Sequence, residues 1–139
     1  METLDNLVKT HLLQREPPDQ TEFDGMVSAA TTKLADVKLE GLSTDSQFSL
    51  AHGAAHALAL AALRWHGYRS DKRYILFQCL KHTLQFEDAQ WRVLDQCHRR
   101  RNIAEYEGHL DIDAQLLAEL IALAKELLKR VRALGPISQ

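Results

Sequence analysis

Seven alanines crowd into twelve residues: Ala51, Ala54, Ala55, Ala57, Ala59, Ala61 and Ala62. Ser43, Thr44 and Asp45 offer N-caps ahead of them, and Gly67 closes the segment behind. Alanine is the strongest helix former, and it presents almost no side-chain bulk. A helix built this way lets its neighbours approach closely, so residues 43–67 are expected to form the central helix of an all-helical chain. His52 and His56 interrupt the apolar run at 50–63, which is also too short to span a bilayer.

The rest of the chain repeats the helical pattern. Leu4, Leu7, Val8 and Leu12 mark a first helix over about 4–14, ended by Pro17-Pro18. Asp19 and Glu22 have capping-pair spacing at the start of a second helix, which Gly41 closes. Its inner face is Phe23, Met26, Val27, Ala30, Leu34 and Val37. A fourth helix is expected over about 71–84, with Tyr74, Leu76, Phe77 and Leu80 packing, and a fifth over about 87–106. The sixth starts after Asp111 or Asp113 and ends at Gly135-Pro136, with a wide stripe running from Leu117 to Leu134. The connections are short, which favours antiparallel neighbours. The expectation is one domain over 1–139, an all-α antiparallel bundle of five to six helices with no strand.

Composition excludes several classes of function. The net charge is 17 − 19 = −2, so the whole molecule does not attract polyanions, and any such site must be a local patch. Cys79 and Cys97 fall inside helical patterns and read as small buried thiols. No serine-nucleophile motif, phosphate-cradling glycine loop or dinucleotide fingerprint occurs. The acidic opening Met1-Glu2-Thr3-Leu4-Asp5 lacks a long apolar run, which makes a cytoplasmic location the expectation. Trp65 and Trp91 sit where core packing explains them. His52 and His56 have the i, i+4 spacing of a metal pair, with His82 or His98 as a third ligand, but no Glu lies between them as in a metalloprotease helix. Lining or bridging an inter-helix cleft is the ordinary reading, and neither a metal nor a cofactor is assigned.

The run His98-Arg99-Arg100-Arg101-Asn102 is the most informative stretch. Asp95 precedes Arg99 by four residues, a favourable surface pair, and basic residues late in a helix match its dipole. Arg101 is harder to explain. It lies four residues after Cys97 and three before Ala104, on the stripe that includes Phe86, Val93 and Leu94. An arginine there must snorkel to a cleft, pair with an acid or face another subunit. Arg100 sits at the stripe's edge.

Arg101-Asn102-Ile103-Ala104-Glu105-Tyr106 resembles the signature of the HEPN family (higher eukaryote and prokaryote nucleotide-binding domains). That signature is an Arg, often followed by a polar residue such as Asn, with a His four to six residues further on, near the end of a late helix. Residues 51–63, closing with Gly67-Tyr68-Arg69, resemble the Ala-rich second or third helix of bacterial HEPN-like proteins. The resemblance covers the chain from about Phe48 onward. It implies a HEPN-like fold and a homodimer whose two Arg101 regions face one cleft. It also implies a nucleotide or RNA ligand held by Arg100, Arg101 and Asn102, with Tyr106 orienting or stacking, and a nucleotidyltransferase-type partner in a toxin–antitoxin pair. In catalytic members the His helps the ribose 2′-hydroxyl attack the adjacent phosphate, and the Arg holds that phosphate. Here Tyr106 stands in the His position, and a phenol of ordinary pKa near 10 is a poor base at neutral pH. His109 falls beyond the usual spacing. The resemblance therefore implies a binding module without catalysis. Two other readings stand beside it. One is a metal-independent endoribonuclease using Arg101 with Tyr106, His109 or a histidine of the third helix. The other is a dimerisation protein whose Arg101 makes an interface ion pair.

Overall fold

Alanine content decides the architecture. In the computed structural model, which describes residues 1–138 apart from the side chains of residues 73 and 74, helix α3 (Thr44–Trp65) lies at the centre. Six of its alanines are buried, as are Phe48, His52, Leu58 and Leu63. Helices α2 (Gln20–Asp36) and α7 (Ala114–Ala133) lie against α3 along much of its length. Helix α6 (Asp88–Glu107) packs on α7 and α3, and the short turns α4 (Arg73–Leu76) and α5 (Leu80–Thr83) complete the wrap. Burying a helix on several sides normally requires deep grooves in its neighbours. Here the alanines supply the room instead, and Lys33 lays its aliphatic stem within 3.3 Å of where a Cβ on Gly53 would sit.

The caps fall largely where the sequence puts them. Asp19 accepts hydrogen bonds from the Thr21 and Glu22 amides, Ser43 from Ser46, and Asp113 from Leu116. Glu87 and Gln90 form a reciprocal capping box on α6. The expected inner faces of α2 and α7 are buried or half-buried, and both cysteines are buried and free. Burial pushes the Cys79 thiol up to about 11 and the Cys97 thiol up to about 12. Trp65 and Trp91 are half-buried, and each indole N–H donates, to the Gly135 carbonyl and to Asp88 respectively. Tyr74, expected as a packing residue, has its side chain outside the described residues. Among the described residues no helix is long and apolar enough to cross a membrane.

Four features differ from expectation. The first helix, α1 (Glu2–Lys9), stops before His11, whose φ of +64° is left-handed and breaks the helical path. The chain then forms a strand, β1 (Gln14–Arg15), antiparallel to β2 (Tyr68–Arg69), where no strand was expected. The expected fourth helix divides into α4 and α5, and between them the Leu80 and Lys81 amides bond three residues back, to the Phe77 and Gln78 carbonyls. Finally, α2 ends at Asp36, five residues short of Gly41.

One buried arginine explains the strand pair. Arg64, at the end of α3, is only 2 % exposed. Its Nε donates to Glu22 at 2.6 Å, Nη1 to the Glu16 and Tyr68 carbonyls, and Nη2 to the Pro17 carbonyl at 2.8 Å, with Glu16 Oε2 at 3.2 Å. Arg69 bonds the same two carboxylates from the other side. The guanidinium therefore satisfies carbonyls of the Pro17 turn that no helix or sheet could serve, and it fixes the amino-terminal segment across α3. Glu22 was expected to act as the partner of the Asp19 cap but spends its carboxylate here. Nearby, Tyr68 donates to Asp5, which also receives Arg15. The Tyr68 hydrogen bond is the main cause holding the Asp5 carboxyl below its ordinary value.

Removing Arg64 deletes a buried side chain and takes the donor away from the Glu16 and Pro17 carbonyls, while Arg69 still holds both carboxylates. Arg64→Ala is expected to cost about 3 kcal/mol, lowering the melting temperature by roughly 10 °C in a chain of this size, as read by thermal circular dichroism. For Glu22, burial alone pushes the carboxyl up, but the hydrogen bonds and charges of Arg64 and Arg69 outweigh it and leave it below 4.5. A lowered carboxylate stabilises the fold above its unfolded pKa, and that contribution is lost as pH falls through the folded value. Glu22→Gln should therefore melt below wild type at pH 7, and the gap should narrow as pH is taken from about 5 to about 3.

Candidate functional site

Helix α6 ends within a residue of the expected bound, which leaves the arginine run well inside it. Helix α6 continues to Glu107, so Arg99, Arg100 and Arg101 sit about two turns before its terminus. The dipole acts mainly within the last turn and explains little there. Local partners separate the three. Arg99 pairs with Asp95 at 2.6 Å, as expected. Arg100 donates to the Asp111 carbonyl at 2.9 Å and lies 3.5 Å from its carboxylate, which ties the loop between α6 and α7 to the helix. Arg101 makes no ion pair among the described residues, and its one hydrogen bond, to the Ser49 hydroxyl, is 3.5 Å long.

Arg101 lines a cleft of about 280 Å³ between the first turns of α3 and the end of α6. Asp45, Phe48 and Ser49 come from α3, spaced so that they share one face. Ala104 and Glu105 come from α6. Gly108 ends α6 with φ at +78°, a left-handed cap that lets the chain turn back, and His109 and Leu110 then close the cleft. Phe48 lies at its base, only 1 % exposed. Of the other residues singled out from the sequence, Asn102 is exposed, with its amide nitrogen 3.4 Å from His98 Nε2. Tyr106 is 91 % exposed and does not line the cleft. The structure thus brings Arg101 together with His109 and not with Tyr106, while Arg100 faces a separate surface with Asp111.

Sequence reasoning missed Asp45, Phe48, Ser49 and Glu105. The first three had a legible signal, i, i+3, i+4 on the cap of the central helix. The role of His109 rests on the turn at Gly108, which spacing along a helix cannot express.

Beneath the cleft the histidines pack as rings. His52 stacks on Phe48 at 5.8 Å and on His98 at 5.6 Å, the latter with planes 8° apart. Phe77 meets both imidazoles edge-on. His52 and His98 are each about 5 % exposed and join α3 to α6. His66 Nε2 lies 3.1 Å from the Thr83 carbonyl, and burial holds its pKa down. Among the described residues no group of three or more His, Cys, Asp or Glu is placed to hold a metal ion.

The cleft holds one fixed cation and two carboxylates, with an imidazole at the rim. A guanidinium without an ion-pair partner can take one phosphate or carboxylate group bidentately. Asp45 and Glu105 accept hydrogen bonds and repel further negative charge. No protein family, curated protein or solved structure matches the chain.

Because Gly108 sits in the left-handed region, Gly108→Ala is expected to cost about 1 kcal/mol and to shift the melting temperature by about 3 °C. Tyr106→Ala touches no packed surface and should change stability by less than about 0.5 kcal/mol. Paired thermal melts check both.

Proposed function

We propose that this chain is a HEPN-like helical module that binds a nucleotide, free or as one unit of single-stranded RNA, in the Arg101 cleft. The observation that carries the reading is an arginine without an ion-pair partner at the mouth of a cleft with Phe48 at its base. The guanidinium would take a phosphate, and Asp45 and Glu105 would accept from base or sugar donors. The two carboxylates favour one phosphate over a tracked backbone. The cleft is at the small end of ligand pockets, which matches a single nucleotide. A homodimer fits the same reading: Ile103 and Tyr106 are exposed on α6, and a second copy would cover them while bringing a second Arg101 near. Arg100 and Asn102 would act at that junction, and Tyr106 could stack on a base bound by the partner copy. A nucleotidyltransferase-type partner belongs to the same family reading.

Fluorescence anisotropy with labelled short RNA and with nucleotides tests this. Arg101→Ala should weaken binding about 10- to 100-fold, the loss of one charge-assisted contact of about 1.5–3 kcal/mol. The salt dependence should be shallow, near the slope of about −0.7 for a single phosphate contact. Equal binding by wild type and variant, or no binding by either, rejects the site.

A second reading has its own observation. His109 lines the cleft with Arg101, so an imidazole is present that could take a 2′-hydroxyl proton while Arg101 holds the phosphate. A metal-independent endoribonuclease should cleave RNA in EDTA and lose that activity in both Arg101→Ala and His109→Ala. Intact RNA after incubation with concentrated protein leaves the binding module alone.

A further inference from the structure

Helices α2 and α7 each pack closely on α3 and touch one another less, so a furrow runs between them on the outer face of the bundle. Two adjoining hollows occupy it, about 560 and 360 Å³, and Thr31 lines both. Asp24, Ser28, Thr31, Ala35 and Lys38 recur along α2 and its exit at intervals of three and four, and Lys125, Leu128 and Arg132 do so along α7. From Gln20 to Lys38 the furrow spans 18 steps along α2 and its exit, roughly 27 Å at 1.5 Å per step, enough to seat a helix of about 18 residues.

Its charge is uneven. Lys38, Lys125 and Arg132 line it; among the described residues none of the three makes an ion pair, and Arg132 reaches across to donate to the Thr31 hydroxyl at 3.2 Å. By contrast Arg64, Arg69, Arg99, Arg100 and Arg130 are all paired. Asp24 is the acid in the furrow, toward the end nearer Gln20. Basic residues near a helix end match its dipole, and that accounts for Arg132. It does not account for Lys125, which sits mid-helix, or for the convergence of cations from two helices. The floor between them is small or aliphatic: Ala35, Val27, Leu128 and the Thr31 methyl. Nucleic acid fits this surface poorly. Three cations over about 27 Å are sparse against one phosphate charge per ~1.7 Å of duplex, and the one ring in the lining, Phe23, is buried and offers no stacking face.

We propose that the α2–α7 furrow docks an acidic amphipathic helix of a partner protein. The partner's apolar stripe lies on Val27, Ala35 and Leu128, and its carboxylates flank that stripe to meet Lys38, Lys125 and Arg132. This is the helix-in-groove mode of recognition. It is independent of the Arg101 cleft, which opens between α3 and α6.

The test is a selection from a displayed library of surface-randomised helical peptides against the full chain, with Lys38→Glu/Lys125→Glu/Arg132→Glu as counter-target. All three residues are exposed, and the melting temperature of the triple variant establishes that it folds. Enriched peptides are expected to carry Asp or Glu at i, i+4 or i, i+7 spacing beside an apolar stripe, to bind the triple variant at least tenfold more weakly, and to shift the amide resonances of α2 and α7. A reversed peptide with Lys for Glu should regain binding to the triple variant. Absence of enrichment, peptides indifferent to the charge reversal, resonance shifts elsewhere, or self-association of the chain through this furrow would each overturn the proposal. Loss of RNA binding in Arg101→Ala with peptide binding intact separates the two sites.

Discussion

The fold depends on how closely helices can approach α3. Dispersion falls off steeply with distance, and a buried helix must touch neighbours on most of its circumference to repay the order it imposes. Alanine at positions 51, 54, 55, 59, 61 and 62 allows that contact without large side chains competing for one space. The larger buried residues of α3 are Phe48, His52, Leu58, Leu63 and Arg64. The bulk that α3 lacks is supplied by its partners: Phe23 and Leu34 from α2, Leu120 and Leu127 from α7, Phe77 and Leu94 from the other side. A methyl added in the middle of α3 would push against several helices at once, so tolerance to substitution should be lowest there and rise toward both ends.

This much was legible in the sequence, because composition and the 3.6-residue period carry it. The amino-terminal strap was not. Leu12 and Leu13 continue the apolar count of α1, and a local pattern has no means of knowing that residues 14–15 pair with residues 68–69 more than fifty positions away. A signal for the strap did exist in the charges. Residues 46–63 hold no Asp, Glu, Lys or Arg, and Arg64 is the first charge to follow them on a helix destined for burial. A lone guanidinium in that position must find acceptors, and Glu16 and Glu22 flank the only Pro-Pro turn in the chain.

The arginine run shows the other limit of sequence reading. Arg99 paired as its spacing indicated, and Arg101 faces a cleft as its place on the stripe required. Which residues meet Arg101 depends on two features outside helical periodicity, the length of α6 past the arginines and the reversal at Gly108. Those features bring His109 into the cleft and leave Tyr106 in solvent. Periodicity assigns a residue to a face of its own helix, while the opposite wall of a cleft is set by tertiary packing.

The Arg64 cluster also has a kinetic meaning. Its bonds to Glu16, Pro17 and Glu22 span 48, 47 and 42 residues of chain. Closing loops of that length carries an entropy cost that adjacent helix pairs such as α2 and α3 do not pay to the same degree. The strap is therefore expected to dock after the helical core has assembled, and to be the first part to leave when the protein unfolds. Weakening the cluster would then shorten the lifetime of the native state while leaving the folding rate nearly unchanged. In a chain whose central helix holds itself together by close fit, the arginine acts as a latch whose strength is measured in time.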